Sequence, residues 1–312
     1  MKKKIALEKV ILYLFLIAGS LICLFPFYWM LRSSFMDMAQ IFVMPPIMIP
    51  DPVVFTNYQD ALEVMPYFRY LLNTLIVVIS NVAGSILAAS LCAFSFSRLR
   101  WPGRDKVFMI ILTSLMMPSI VTMIPTFVMW SRLGFTNSLV PLAVPIWFGG
   151  SVYNIFLFRQ FFLSIPRELD EAAYVDGASY FKVYWKIILP LSKSAMVVVG
   201  IFSFLSSWND FMGPLIYLNE EKKYTLSLGL QLFQGSYGAQ WHLLMAASVL
   251  VLTPAVIVFF FGQKHILEGI ATTGIKGSPG KQQTGGLRNE RSSGTPCPQA
   301  GKDDGWFLGR SA

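Results

Sequence analysis

The chain is 312 residues long; only 13% of its residues are charged, compared with about 25% in soluble domains, whereas 54% are hydrophobic and 15% aromatic. So few charges cannot cover so much apolar surface in water, which excludes a soluble, disordered or fibrous protein and makes lipid the expected solvent. The net charge of +8 would suit nucleic-acid binding only if the cations shared one surface, and their positions along the chain argue against that.

Six stretches are long and apolar enough to cross a bilayer core, which needs about 20 residues of helix. They are 10–31, 71–97, 107–131, 133–158, 187–209 and 243–263. The first follows three lysines but is too long for the apolar region of a signal peptide, so we interpret it as an uncleaved helix. The fifth crosses Lys193, whose ammonium can reach the interface along its aliphatic stem. The composition and these stretches predict an all-α integral membrane protein with six transmembrane helices.

The basic residues predict the orientation of these spans, because loops on the cytoplasmic side carry an excess of Lys and Arg. With the N-terminus inside, the inner segments hold most of the cations, at positions 2, 3, 4, 9, 98, 100, 104, 106, 159, 167, 182, 186 and 193. The outer segments hold few, at positions 32, 69, 132, 222 and 223. We therefore expect a multi-pass protein of a bacterial-type plasma membrane with both termini in the cytoplasm, surrounded by lipid and not bound to nucleic acid.

The loops divide the chain into three parts. Residues 1–69 comprise an N-terminal cytoplasmic segment, the first span and an outer loop, and residues 70–263 form a core of five spans with an inner loop at 159–190. Residues 264–312 form a cytoplasmic C-terminal segment, which we expect to be disordered after 277 because it is rich in Gly, Ser and Pro. The span interiors of the first four helices and the sixth lack ionisable residues, which disfavours an ion-coupled carrier.

Several prolines lie within the predicted spans and have two readings. Each removes a backbone donor and kinks its helix, and such breaks can line a transport pathway. Proline is also simply more common in membrane helices than in soluble ones. The prolines in question are Pro118, Pro125, Pro141, Pro145 and Pro254.

The inner loop carries helix-start signals. Pro166 lies near the first helical position and acidic residues fill the opening turn, where they complement the helix dipole. Leu169, Ala172 and Ala173 are expected to share a small apolar face, and Gly177 is expected to end the helix in the left-handed conformation. A second amphipathic stretch, 180–189, leads to the fifth span. The pattern predicts a helix–turn–helix, although an ordinary interfacial helix fits the periodicity as well.

The literal sequence of this loop favours one of these two readings. Glu171-Ala172-Ala173, then Gly177, then Ile187-x-Leu189-Pro190 resembles the EAA loop of permeases of binding-protein-dependent (type I) ABC importers. Further segments are similar to the sugar branch of that family, and in particular to the six-helix permease of maltose-type importers. These segments are 73–74, 98–104, 118–125, 208–211 and 269–277.

The resemblance implies that the loop is a coupling helix seated in a cleft of a separate ATPase subunit. The implied interface residues are Glu171, Ala172, Ala173, Asp176, Gly177, Ile187, Leu189 and Pro190. The chain has no G-x-x-x-x-G-K-[ST] motif, so we expect no ATPase activity in it and no bound cofactor, with Mg-ATP used by the partner. The implied partners are a second homologous permease subunit, two ATPase subunits and an extracytoplasmic solute-binding protein. That protein would engage the outer loop 210–242, and segment 269–277 would contact the ATPase pair.

The substrate is less strongly indicated. Trp208, Asn209 and Asp210, at the outer end of the fifth span, combine an aromatic face with polar groups suited to sugars, and we assign them to a possible translocation pathway. Alternatively, Trp208 is an interface aromatic and the other two end the helix. We expect carbohydrate import by alternating access, with a polyamine or glycerol phosphate as the alternative solute. A membrane enzyme is disfavoured, because no constellation of carboxylate, His or Cys residues, catalytic or metal-binding, is apparent in the sequence.

Overall fold

The computed structural model describes residues 2–235 and 238–274, so the predicted disorder after 277 and the end of segment 269–277 lie outside the described residues. Four helices in this part of the chain are long and apolar enough to span a membrane. Two further pairs of helices meet the same test but are bent, and they bring the number of spans to six if each pair crosses once. The predicted all-α membrane fold is therefore confirmed.

The first half of the chain comprises a long N-terminal helix, two short helices, a second long helix and a broken third span. These elements are α1 (Lys2–Ser34), α2 (Met38–Ile41), α3 (Thr56–Val64), α4 (Tyr67–Ser97), α5 (Arg104–Thr113), a 3₁₀ turn (Ser114–Met116) and α6 (Ser119–Arg132). The most apolar part of α1 contains no buried residue, as expected of a helix that largely faces lipid or another chain, whereas its end at Arg32, Ser33 and Ser34 is buried.

The second half contains the inner loop, two more spans, a segment of short helices and strands, and the final helix. The elements before the fifth span are α7 (Val140–Ala143), a 3₁₀ turn (Pro145–Trp147), α8 (Val152–Ser164), α9 (Glu168–Val175), α10 (Tyr180–Val183), a π turn (Tyr184–Ile188) and α11 (Leu189–Leu191). The remaining elements are α12 (Lys193–Trp208), α13 (Met212–Tyr217), a 3₁₀ turn (Glu221–Lys223), α14 (Leu226–Gly229), a 3₁₀ turn (Leu230–Phe233), β1 (Gln234–Gly235), β2 (Gly238–Ala239) and α15 (Trp241–Gly274). The two short strands pair antiparallel.

The third span bends by 99° between its two helices. The break lies at Met117 and Pro118, whose ψ angles of 121° and 133° are extended. Proline disfavours a helical residue before it, so Met117 cannot continue the preceding turn. Pro125, in contrast, lies inside α6 without ending it. Of the two prolines predicted to kink this span, Pro118 makes the sharp break.

The fourth span starts and ends later than the sequence pattern predicts. Gly134 and Asn137 have positive φ angles of 77° and 56°, so the chain turns where the predicted helix should begin. The apolar candidate span is Val140–Ser164, with Pro141 and Pro145 at the starts of short helical turns. The predicted bounds missed the shift because they followed the absence of charged residues, and the turn residues 133–139 are uncharged although several are polar. As a consequence, the inner loop begins at Ile165 and not at Arg159.

The fifth span is bent by 79° between Tyr180–Leu191 and Lys193–Trp208. Its first part includes the π turn, and Pro190 supplies no backbone donor within it.

The predicted domain boundaries at 69/70 and 263/264 both fall inside helices, namely α4 and α15. Helix α4 packs against α5, α7, α8, α12 and α14, and α12 packs in turn against α15. Helix α4 is therefore central to the described bundle.

Candidate functional site

The inner loop folds as the predicted helix–turn–helix. Helix α9 presents Glu171, Ala172 and Val175 to the exterior, with Val175 88% exposed, and turns Asp170 and Ala173 inward. The expected apolar face is therefore divided, since Leu169 and Ala172 are exposed and only Ala173 is buried. Asp170 lies on the buried side of α9 because its carboxylate has a buried partner, Arg98. Hydrophobic periodicity in the sequence cannot reveal such a pair.

The end of α9 is a Schellman turn centred on Gly177. The Ala178 amide donates to the Ala173 carbonyl at 2.9 Å and the Gly177 amide to the Tyr174 carbonyl at 3.0 Å. Gly177 has φ of 76°, and a Cβ placed there would meet nothing within 4 Å. The glycine is needed for its backbone conformation and not for space. Asp176 and Gly177 are both exposed, next to the outer face of α9.

Arg98, at the end of α4, binds the inner side of this loop. Its Nη1 lies 2.9 Å from Oδ2 of Asp170, and the two side chains are only 2% and 8% exposed. Its Nη2 donates to the carbonyls of Phe162 and Ile165 at 2.6 and 2.9 Å. Burial raises the pKa of Asp170, and the positive charge of Arg98 acts in the opposite direction. The sequence did not indicate this role, because Arg98 and Asp170 are far apart along the chain and no local spacing pairs them.

The second arm of the loop ties the same region to α4 and α12. Ile187 and Leu189 pack against a buried cluster that includes Ala173 and Ile188. The Tyr184 hydroxyl lies 2.7 Å from the Ser90 Oγ on α4. Ile187 and Leu189 are thus half-buried, whereas Pro190 is exposed. Five of the eight predicted interface residues are exposed, namely Glu171, Ala172, Asp176, Gly177 and Pro190. The other three, Ala173, Ile187 and Leu189, pack against the bundle.

A polar cavity of about 590 Å³ lies among α4, α6, α8 and α12. Its lining is dominated by hydroxyl and amide side chains. The lining residues are Asn81, Ser85, Ser119, Ile146, Ser151, Tyr153, Asn154, Phe202, Ser203, Ser206, Ser207 and Asp210. Such a set offers many hydrogen-bond donors and acceptors within an otherwise apolar bundle.

Two asparagines hold the walls of this cavity together. Asn81 Nδ2 donates to Ser207 Oγ at 2.9 Å and to the Leu142 carbonyl at 3.1 Å, while Asn154 Nδ2 donates to Ser203 Oγ at 3.2 Å. The Oδ1 atom of Asn81 is buried and has no hydrogen-bond partner among the described residues. Interhelical hydrogen bonds of the kind that asparagines form within membranes are therefore present at this cavity.

The structure separates the three residues of the predicted pathway. Asp210 lines the cavity, and its Oδ1 accepts a hydrogen bond of 3.0 Å from the Gly213 amide. Trp208 is 2% exposed, stacks on Phe204 and donates from Nε1 to the Val251 carbonyl, so its ring belongs to the core. Asn209 donates to the Leu205 carbonyl and does not line the cavity. The serines and asparagines that do line it were visible in the sequence only as isolated polar residues within spans.

Residues 80–271, which include the cavity and the inner loop, match the family described as the binding-protein-dependent transport system inner membrane component. The chain belongs to this family. The predicted membership in the permeases of ABC importers is confirmed. The protein is a multi-pass permease component, and this family consists of transport components and not of enzymes.

Individual relatives cover most of both chains. The chain is 30% identical to the arabinooligosaccharides transport system permease protein AraQ of Bacillus subtilis, over 86% of this chain and 96% of the relative. It is 31% identical to the sn-glycerol-3-phosphate transport system permease protein UgpE of Yersinia pestis, over 83% and 94%. A solved bacterial ABC transporter involved in the import of the acidic polysaccharide alginate has a chain of the same fold, with a TM-score of 0.73, 23% identity and coverage of 83% and 96%.

Proposed function

We propose that this chain is a permease subunit of an ATP-driven importer that moves a neutral carbohydrate into the cytoplasm by alternating access. The observation that carries the proposal is the chemistry of the polar cavity, in which six serines, two asparagines and a tyrosine face one volume. Hydroxyl and amide groups are the natural partners of sugar hydroxyls, because each can donate or accept as the solute turns. The arabinooligosaccharide relative favours the same substrate class.

The charge of the cavity argues against the glycerol phosphate alternative. The described residues that line it include no Lys, Arg or His, and they include the carboxyl group of Asp210. A phosphate or uronate would meet an acid and no cation, which makes entry unfavourable in a space of low dielectric constant. A polyamine, in turn, would need several carboxylates, and the cavity offers one, whose Oδ1 is already engaged by Gly213.

We assign the work of ATP hydrolysis to two separate ATPase subunits that bind Mg-ATP. Their docking site is the exposed face of α9 with its turn, where Glu171, Ala172 and Asp176 are accessible. A carboxylate beside small side chains permits a charge-assisted contact with a closely packed surface. A second homologous permease and a solute-binding protein at the outer loop 210–242 complete the assembly, and both termini of this chain lie in the cytoplasm.

Two contacts would carry a displacement of α9 to the cavity. The Arg98–Asp170 pair connects α9 to α4, which supplies Asn81 and Ser85 to the cavity wall. The packed second arm connects the loop to α12, which supplies Ser203 and Ser207. A push on the loop would therefore move the two walls as rigid helices, which is the mechanical element that alternating access needs.

Uptake by the complete transporter in sealed vesicles tests the proposal. The chain is reconstituted with its permease, ATPase and binding-protein partners, and ATP-dependent uptake is measured for neutral oligosaccharides, glycerol 3-phosphate, an oligouronate and a polyamine. We expect uptake of a neutral oligosaccharide alone. Uptake of glycerol 3-phosphate, oligouronate or polyamine in preference to every neutral sugar would overturn the substrate assignment, and uptake without ATP would overturn the energy source.

A further inference from the structure

A second cavity, of about 680 Å³, lies at the inner-loop end of the bundle and has the opposite chemistry. Arg100, Arg104, Lys106 and Arg167 line it together with Trp101 and one acid, Asp105. Four cations facing one acid give an excess of three positive charges around one open volume. Such an excess of positive charge is typical of an anion-binding site, and the polar cavity described above has no such excess.

The hydrogen bonds in this cavity leave much of the positive charge free. Arg104 is engaged, since its Nε and Nη2 donate to the two oxygens of Asp105 at 3.0 and 3.1 Å. Arg100 and Lys106 make no ion pair within the described part of the chain, and both are exposed. An anion with several oxygens would satisfy these two cations at once.

The position of the cavity in the fold indicates which kind of anion it would bind. It lies in the connection between α4, which ends at Ser97, and α5, which begins at Arg104, so it sits where two membrane-spanning elements terminate. The phosphates of a lipid leaflet are expected where membrane-spanning helices end, and Trp with Arg and Lys is the composition of the interfacial layer. Arg167 is exposed and immediately precedes α9, and its Nη2 donates to the Ser97 carbonyl at 3.5 Å.

We propose that this cavity binds the phosphate headgroup of an anionic phospholipid from the leaflet on the inner-loop side. The bound lipid would lie against the connection that begins at Arg98, and so beside the contact between α4 and α9. Its phosphate would contact the exposed cations Arg100 and Lys106.

Native mass spectrometry of the complete transporter, purified with its partner subunits, tests this site. The complex is titrated with phosphatidylglycerol, phosphatidylcholine or inorganic phosphate. Phosphatidylglycerol should be retained in preference to phosphatidylcholine, and the double variant Arg100→Gln/Lys106→Gln should bind it on the order of tenfold more weakly. The matched control is Arg69→Gln/Lys222→Gln, which removes the same charge from exposed cations at the other end of the bundle and should retain the lipid.

Four outcomes would overturn the proposal. The first is equal retention of the two lipids, and the second is unchanged retention in Arg100→Gln/Lys106→Gln. The third is equal binding of inorganic phosphate, which would make the ligand a soluble anion. The fourth is loss of the ATPase subunits from this variant with lipid retention intact, which would assign the cavity to a protein partner.

Discussion

Arg98 and Asp170 join the end of α4 to the inner face of α9 through a buried ion pair of 2.9 Å. The same guanidinium binds two carbonyls at the end of α8, so one side chain holds three segments together. Because α4 also forms a wall of the polar cavity, this contact is a direct mechanical connection between the loop and the cavity.

Replacement of Arg98 by Met should destabilise the protein by about 3 kcal/mol, because it leaves the Asp170 carboxyl buried without its cation. The double variant Arg98→Met/Asp170→Asn should recover part of this loss, since no buried charge then lacks a partner. Thermal unfolding of the purified transporter measures both. Equal instability of the single and double variants would show that the carbonyl contacts of Arg98, and not the ion pair, hold the loop.

The Arg98→Met variant should also acquire a distinctive pH dependence. Burial already raises the pKa of Asp170, and loss of the Arg98 cation raises it further. An acid whose pKa is raised on folding contributes stability at pH values below its unfolded pKa and loses it as the pH rises through its folded pKa. The melting temperature of Arg98→Met should therefore approach that of the wild type as the pH falls from neutral toward 5. A constant difference would contradict this expectation.

Gly177→Val should reduce ATP-driven uptake strongly while costing only about 1–2 kcal/mol of stability, because a branched residue is strained at φ of 76°. Gly177→Asn should be milder, since Asn tolerates this conformation. Gly134 provides a matched control. It ends α6 with φ of 77° in the same pattern of hydrogen bonds and with equally open space, but at the other end of the bundle.

The comparison of Gly134→Val and Gly177→Val separates coupling from stability. Both variants should melt at similar temperatures, and only Gly177→Val should lose uptake and ATPase stimulation at normal membrane abundance. A similar loss in both would mean that the strain acts through stability alone, and the docking role assigned to this turn would be wrong.

Ser206→Phe should lower uptake several-fold without lowering membrane abundance, because Ser206 lines the polar cavity and a phenyl ring would occupy part of it. Ser194→Phe is the control. It makes the same substitution on α12 at a residue that does not line the cavity. Uptake of the oligosaccharide and protein abundance are measured in parallel vesicles. Equal uptake by the two variants would place the pathway elsewhere.

Local chemistry allowed several features to be predicted from the sequence. The six apolar stretches, the helix–turn–helix and the glycine at its turn follow from residue types at fixed spacing, which act over a few residues. The break at Pro118 could be anticipated in the same way, but its 99° bend could not. The fourth span was misplaced because Gly134 and Asn137 turn the chain within a stretch that carries no charged residue.

The polar cavity could not be predicted, because its lining comes from four separate segments. Asn81, Ser119, Asn154 and Ser203 have no common spacing, and each fits equally well as a residue that hydrogen-bonds to a neighbouring helix. Trp208 illustrates the same limit. Its neighbours in sequence made it a candidate for sugar stacking, yet its indole donates to the Val251 carbonyl on α15.

The sequence by itself determined that this chain is a membrane protein, how many times it can cross the bilayer and which loop forms the helix–turn–helix. Those properties depend on hydropathy, charge and short spacings, which are physical properties of contiguous residues. The tertiary structure alone decided which polar residues share a cavity and that Arg98 holds Asp170. Such pairings depend on how distant helices pack, because a buried polar group is stabilised only by a partner that folding brings within hydrogen-bonding distance.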